Sequence, residues 1–563
     1  MKMKKTNTII ALSLFGASSL FGVTPPTSGD MQRLAQPQKM QDIQKELPKI
    51  KKEYKAPLEL KDDVTTLVKG FIFSGNSVFS SEELSQLTKE FENTQMGINK
   101  LKNVASLITK HYRDNGYFVA RAYLPAQTLK DGIVEIAIIE GAYGGFKIKN
   151  TSLVHDSELQ GYMDYLSDGH VVSTPSLERQ MLLINELSGV VVTNAEVYPG
   201  EEVGESDFGV TTAATPKYTG YAIADNYGSV YTGEHRLSVG GYVNSFGGAG
   251  DTLAITGLIS ETANLANLGF NYEKALGYTG LKGSINASTL KYKLDEIENY
   301  EAEGTLNSIG AGLSYPTIKT RSHTQLLSLN YAYRDFEDRA GALGAADTSL
   351  KSIHNATVAF SDRSNTNIAS MPGKLFVSLS ATLGSLSLNN EIARQLDADL
   401  QSQGRYSKLG AILFHTQQFH PKLSLQTTLK GQQSLGKNLD SSEDITVGGS
   451  NGVRAYEDSE LSGDKGYTGS LELLYALPKL EEYHHYASIF VDRAKVWRND
   501  EIFNTEENVR EINAYGIGYT LAYKIFDLKA TYARGFGNDA TPRSESEFST
   551  SKNKFLFQGM VRF

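Results

Sequence analysis

The sequence predicts a transmembrane β-barrel of about sixteen antiparallel strands preceded by two small α/β modules. Three observations carry that prediction. From about residue 217 onward, helical periodicity gives way to period-two alternation. The connections between alternating segments are long on one side and short on the other. The 563-residue chain is also rich in Gly (52), Tyr (30) and Phe (24), with a mean hydropathy of only −0.31. That balance excludes a bundle of apolar helices and suits strands that are apolar on one face. The absence of Cys removes disulfide frameworks, thiolate metal sites and Cys nucleophiles. A net charge of −9 gives no electrostatic case for nucleic acid.

At the amino terminus, Lys2, Lys4 and Lys5 precede the apolar run Ile9–Phe15 and then small residues. This is the order of a secretory signal peptide, assigned to residues 1–23. Residues 24–65 form a polar linker in which Met40, Ile43, Leu47, Ile50 and Tyr54 recur three and four apart. The spacing favours a helix, which Pro48 restricts to about 38–47.

Residues 66–143 read as one module: strand 68–73, turn Gly75-Asn76, helix 81–91 capped by Ser80 or Ser81, helix 97–115, strand 117–124 and strand 133–140. On the second helix Leu101, Val104, Ala105, Ile108 and Tyr112 share a face. Residues 144–212 repeat the plan: strand 146–148, helix 156–166, a helix from Ser176 capped by Thr174 with Pro175 first, then strands 190–198 and 207–212. A strand edge beside a helix suits the docking of an extended peptide. Neither module offers a nucleophile–base pair or clustered metal ligands.

Residues 213–563 hold the barrel, with strands near 218–226, 234–243, 251–260, 264–274, 280–290, 306–316, 323–333, 353–361, 372–382, 405–418, 421–432, 466–477, 485–496, 512–523, 525–534 and 553–563. Fourteen or eighteen strands are the neighbouring alternatives. Leu327, Leu329, Tyr331 and Tyr333 share one face, as do Tyr515, Ile517, Tyr519, Leu521 and Tyr523. Apolar outside with small and polar inside reverses a soluble barrel. The long connections include 334–352, 383–404 and 433–465; the short ones, such as 419–420, lie on the side of the modules. An even strand count therefore puts both barrel ends on the periplasmic side of an outer membrane. The last strand ends with Val561 and Phe563 on its apolar face.

Several short motifs occur in a specific order. They are Gly75-Asn76, Asn115-Gly116-Tyr117, Leu124-Pro125-Ala126-Gln127 and Glu140-Gly141 in the first module. At the barrel start stand Asp225-Asn226-Tyr227-Gly228 and Arg236; in the longest loop, Gly448-Gly449 and Val453-Arg454-Ala455-Tyr456; in the thirteenth strand, Phe490-Val491-Asp492-Arg493-Ala494. In these the chain resembles the outer-membrane transporters of two-partner secretion, the haemolysin and filamentous-haemagglutinin export type. That family belongs to the superfamily of the barrel-assembly insertase. The resemblance implies two POTRA-like modules, a plug helix within 24–65 and a large secreted exoprotein with an N-terminal secretion domain as partner. It also implies recognition of the aromatic C-terminal strand, Val561 and Phe563, by the barrel-assembly machinery. Partner contact falls to the modules, with Tyr117, Leu124, Pro125 and Gln127 as its candidates. The chain departs from the family where Ala455 and Ala494 stand in place of Gly.

The central pair has a direct physical reading. Asp492 shares a strand face with Ser488 and Phe490, opposite Ala487, Ile489 and Val491, and so points into the lumen. Arg454 sits in a Gly-rich loop able to fold inward, and its guanidinium can grip a carboxylate bidentately. Arg454 and Asp492, flanked by Val453, Tyr456 and Phe490, are expected to lock loop 433–465 inside the pore. Asp225, Asn226, Gly228 and Arg236 are expected to form the barrel-start motif. The acids of the long loop, from Asp440 to Asp464, read as solvating it. His484 and His485 point to opposite faces and offer no metal site. No cofactor, metal or catalytic residue is expected. The predicted function is an outer-membrane translocation pore that exports an unfolded adhesin or haemolysin without nucleotide. A barrel insertase, a gated porin and an outer-membrane enzyme are the alternatives.

Overall fold

The computed structural model describes residues 65–563 apart from 168–169, 295–299, 343–344, 459, 479–481, 503–506 and 538–551, together with residues 27, 28, 31, 32, 47 and 48. The expected signal peptide, and the helix expected at 38–47 except Leu47, lie outside the described residues.

In the first module β1 (Thr65–Val68) pairs antiparallel with β3 (Thr94–Gly97), a small sheet the alternation did not announce. A second sheet has the order β2 (Gly70–Ser74), β5 (Ile133–Ile139), β4 (Arg121–Tyr123), with β2 and β5 parallel. Helix α1 (Ser81–Thr88) starts at Ser80, whose hydroxyl accepts the Glu83 N–H. Helix α2 (Ile98–Asp114) buries Leu101, Val104, Ala105, Ile108 and Tyr112. The expected strand over 117–124 shrinks to three residues. Tyr117 N–H returns to the Tyr112 carbonyl, Ala120 turns into the core of this module, and Phe118 is buried in the apolar cluster of the second module, so neither pairs.

The second module is a sheet of order β6 (Ala142–Thr151), β8 (Glu205–Ala214), β7 (Val190–Pro199), covered by α3 (Asp156–Ser167) and α4 (Thr174–Glu186). Ser173, not Thr174, caps α4: its side chain accepts the Ser176 N–H, which moves Thr174 into the first turn beside Pro175. This module is fastened to the periplasmic turns of the barrel. Ser188 N–H donates to the Gly250 carbonyl and Arg179 to the Pro316 carbonyl, Lys319 pairs with Glu186, and Tyr162 meets Tyr278 edge-on.

Sixteen strands close the barrel. They are β9 (Tyr218–Asp225), β10 (Arg236–Asn244), β11 (Thr252–Ser260), β12 (Leu265–Ala275), β13 (Lys282–Lys293), β14 (Tyr300–Lys319), β15 (His323–Ala342) and β16 (Asp347–Ile368). The remainder are β17 (Met371–Leu388), β18 (Gly404–His420), β19 (Leu423–Ser434), β22 (Lys465–Ala476), β23 (Tyr483–Trp497), β24 (Val509–Tyr523), β25 (Phe526–Phe536) and β26 (Asn553–Arg562). Two-residue strands β20 (Ile445–Thr446) and β21 (Ser462–Gly463) pair inside the long loop. Every neighbouring pair of barrel strands is antiparallel, and β26 against β9 closes the ring.

The wall is uneven in height. β9–β11 have eight or nine residues, whereas β14–β16 have 20, 20 and 22. Much of what reads as loop at 334–352 and 383–404 is therefore strand. The ladder continues through Thr305↔Glu337 and Arg339↔Thr348, where polar residues face outward. Above the lipid both faces of a wall meet water, so the apolar alternation fades while the pairing persists. A short helix α5 (Glu391–Leu396), capped by Asn390, lies in the 389–403 connection.

Candidate functional site: a loop and an N-terminal segment inside the barrel

The connection between β19 and β22 turns inward. Its neck is the β20–β21 ladder, and its tip doubles back as Val453 N–H bonds the Val447 carbonyl and Gly449 N–H the Tyr456 carbonyl. Such a tight fold requires glycine. Gly449 has φ +74°, and a Cβ at Gly448 or Gly452 would overlap a carbonyl oxygen of the facing strand of the loop. Val453, Ala455 and Tyr456 are buried with Phe490, Ala494, Val496 and Ile512 of the wall. The methyls of Ala455 and Ala494 thus sit within this apolar cluster.

Arg454 is held at every nitrogen. Its Nε and Nη2 donate to Asp492 Oδ2 and Oδ1 at 2.9 and 2.8 Å, its Nη1 to Glu472 Oε2 at 2.6 Å, and Nη2 also to Ser470 Oγ at 3.1 Å. The backbone N–H of Arg454 adds a bond to Asp492 Oδ2 at 3.2 Å. The guanidinium carbon lies 3.3 Å from the centre of the Phe490 ring, a stacked cation–π contact. Phe490 has room because Gly516 faces it, where a side chain would overlap the ring. Asp492 is fully buried and Arg454 is 6% exposed. The register explains the set: Ser470 stands opposite Asp492, and Glu472 opposite Phe490. Glu472 was missed in the sequence. It occupies an inward position of β22, and that inward acid was the available signal. Arg493 points outward and pairs with Glu511 at 2.9 Å.

The other loop acids do not solvate the loop; they anchor it. Glu443 is 3% exposed, pairs with Arg334 of β15, and receives Lys408 of β18 at 2.8 Å and Asn355 of β16 at 3.2 Å. Asp440 receives Lys351 of β16 at 2.8 Å, Glu460 receives Arg510 of β24 at 3.1 Å, and Glu457 pairs with Lys554 of β26. Asp464 accepts the N–H groups of Leu439 and Asp500. The reason is location: within an enclosed lumen, a carboxylate away from water needs a cation or N–H partner. Among the described residues no group of three His, Asp or Glu could hold a metal ion. His485 instead bonds Tyr519 and the Pro478 carbonyl.

The described N-terminal residues also lie in the lumen. Ser28 binds Asp338 of β15 through its N–H and its hydroxyl, each at 3.0 Å, and Thr27 Oγ1 lies 3.0 Å from Ser441 of the long loop. Met31 is buried with Leu290, Tyr292, Phe336 and Leu439. At the opposite, periplasmic end, Arg321 Nη1 and Nη2 donate to the carbonyls of Leu47 and Pro48, at 2.7 and 3.0 Å.

The barrel-start residues meet at the seam. Arg236 Nε donates to Asp225 Oδ1 at 2.9 Å, both side chains being buried. Asn226 extends the closing ladder past the end of β9: its side chain donates to the Phe555 carbonyl and accepts the Phe557 N–H, at 2.8 and 2.7 Å. Gly228 leaves space for the Gly233 carbonyl, which a Cβ would overlap. Val561 pairs with Ala222, and Phe563 exchanges backbone bonds with Gly220 while its ring stays exposed. In the first module Tyr117 packs edge-on against Phe79 and Tyr112. Leu124 leans on the core, Pro125 follows β4, and Gln127 pairs its amide with both backbone groups of Glu135 at 2.8 Å. That amide covers the edge of β5 beyond the end of β4.

Glu140 anchors the same module. Burial raises its carboxyl, but the Ser77 hydroxyl, the Val78 N–H and the Tyr112 hydroxyl outweigh burial and hold it below the ordinary carboxylate range.

Comparison with known proteins agrees with this architecture. Residues 66–141 match the ShlB-type POTRA domain, and residues 204–550 match the haemolysin secretion/activation protein family ShlB/FhaC/HecB. The heme/hemopexin transporter protein HuxB of Haemophilus influenzae (strain 86-028NP) is 25% identical over 98% of this chain and 100% of its own. The outer membrane transporter CdiB of Dickeya dadantii (strain 3937) is 22% identical over 82% of this chain and 83% of its own. The structure of CdiB from Escherichia coli superposes with a TM-score of 0.71 at 18% identity, covering 95% of each chain. That of CdiB from Acinetobacter baumannii gives 0.65 at 16% identity and full coverage of both. With its family match spanning most of the chain, the protein belongs to the haemolysin secretion/activation family of ShlB, FhaC and HecB.

Proposed function

We propose that this protein is an outer-membrane translocation pore that takes an unfolded exoprotein from the periplasm and passes it to the cell surface or medium. The observation that carries this reading is a closed barrel with periplasmic modules, whose lumen is filled by a loop and an N-terminal segment of its own chain. Such fillers are tied by side-chain contacts rather than by strand pairing, so they can leave without opening the barrel. Relatives named as transporters, CdiB among them as one of the outer membrane, support the same reading.

The exoprotein, an adhesin or haemolysin with an N-terminal secretion domain, docks on the modules, with Tyr117, Leu124, Pro125 and Gln127 as candidate contacts. Arg454 and Asp492 hold the loop at rest, supported by Val453, Tyr456 and Phe490. Segment 24–65 serves as plug and linker. Folding of the exported chain outside provides direction, and no nucleotide enters the scheme. Outer-membrane lipid surrounds the barrel, and the C-terminal strand ending in Val561 and Phe563 is the signal for the assembly machinery.

The test is a strain lacking this protein: one large protein is expected to vanish from the medium and to accumulate or be degraded in the periplasm. An unchanged secreted profile would contradict the proposal. Removing residues 66–212 is expected to abolish export while the barrel still assembles.

A further inference from the structure

The loop carries seven carboxylates against Lys437, Arg454 and Lys465, a net charge of −4. Its partners on the wall are of opposite sign nearly throughout. Arg334, Lys408 and Lys554 meet Glu443 and Glu457; Lys351 and Arg510 meet Asp440 and Glu460; Lys430 Nζ donates to the Asn451 carbonyl at 2.8 Å. Six wall cations therefore face the loop. Against them stand the wall acids Asp492 and Glu472, which hold Arg454, and Asp338, which holds Ser28.

We infer that the inner wall is a cationic track for acidic stretches of the polypeptide that crosses it, exposed when loop 433–465 withdraws. The inference rests on the proposed passage through the lumen. The loop itself shows what this wall accepts: an irregular peptide of net negative charge, seated through Lys and Arg spread over β15, β16, β18, β19, β24 and β26. Withdrawing it removes four negative charges and leaves these six cations against the three named acids, beside the mutually neutralised Arg236–Asp225 pair, in a channel with low-dielectric walls, which concentrates anions. Long Lys and Arg side chains grip successive carboxylates and carbonyls without requiring one sequence, as passage of a long chain demands.

The experiment is a planar-bilayer recording on the full-length protein, on Arg454→Ala and on a chain lacking residues 440–463. A potassium chloride gradient is applied, then poly-glutamate or poly-lysine is added on the periplasmic side. Both loop variants are expected to favour chloride over potassium by about twofold or more, and poly-glutamate to block at about tenfold lower concentration than poly-lysine. Lys351→Gln/Lys408→Gln/Lys554→Gln in either background is expected to bring the permeability ratio to about one. Should that triple variant fail to show the heat-modifiable band of a folded barrel, Lys408→Gln alone is expected to shift the ratio in the same direction. Potassium preference, equal block by both peptides, or a ratio indifferent to Lys408→Gln would overturn the track. Export is scored separately, in the wild type and in a strain lacking this protein. Potassium selectivity of the open variants beside normal wild-type export would remove the track alone, whereas an unchanged secreted profile in the strain lacking the protein would remove the proposed passage.

Discussion

The two faces of β23 show two different kinds of constraint. Outward, Ile489 and Val491 are 59% and 43% exposed to what lipid would occupy; inward, Phe490 and Asp492 are 5% and 0% exposed. The outer face answers to a uniform solvent, so any apolar side chain of suitable size serves. The inner face answers to particular residues of a loop some forty positions away. Change on the outside should therefore cost in proportion to depth, whereas change on the inside should cost according to the partner it abandons.

Arg454→Ala breaks the comparison hardest. It leaves Asp492 fully buried without its cation, a situation that costs about 3–5 kcal/mol. The loop is expected to leave the lumen, secretion to fall strongly at normal barrel levels, and protease to cut near 450–458 from outside. Arg454→Lys is not expected to rescue, because a lysine cannot span both oxygens of Asp492 and reach Glu472 as well.

Ile517→Arg is the outside counterpart. Ile517 is 59% exposed on β24 opposite Ile489, and a cation there is expected to cost about 2–4 kcal/mol of barrel stability if it lies at mid-depth. Refolding into vesicles, followed by denaturant titration, measures it. The lumen contacts and the resting conductance should be unaffected in the folded fraction.

Glu140→Gln tests a buried acid where no membrane intervenes. Loss of charge-assisted bonds from Ser77, Val78 and Tyr112 is expected to cost about 1–3 kcal/mol in the first module. Because the folded carboxyl is held below its ordinary value, its stabilisation is complete above the unfolded pKa and is lost as pH falls through the folded one. Amide exchange over residues 66–141 of the intact protein should thus be insensitive to this group near neutrality. It should accelerate at acid pH in the wild type, with that dependence reduced in Glu140→Gln. Arg493→Gln is expected to have the smallest effect, below about 1 kcal/mol, since the Arg493–Glu511 pair is exposed.

The same contrast explains what could be read from the chain. The sixteen strands, the outward rows such as Leu327, Leu329 and Tyr331, and the inward aim of Asp492 follow from a local period. The height of β14–β18 does not, because Glu303, Glu337 and Arg339 continue the ladder where both sides are wet and alternation has no contrast. Nor does the placement of Glu443 against Arg334 and Lys408, or of Glu457 against Lys554: partners separated by 35 to 109 positions leave no local signature. Acids in a Gly-rich loop look solvated until the lumen around them is seen. Arg454 was legible as a candidate because motif order and strand parity coincide there.

The account stands on a lumen closed by segments that have to leave it. The most direct measurement uses Ser28→Cys/Asp338→Cys, two positions joined by a 3.0 Å hydrogen bond in a chain with no other cysteine. With the disulfide formed, the N-terminal segment is tied to β15; the account predicts that export stops and resumes on reduction. Equal export from the oxidised and reduced protein would contradict it.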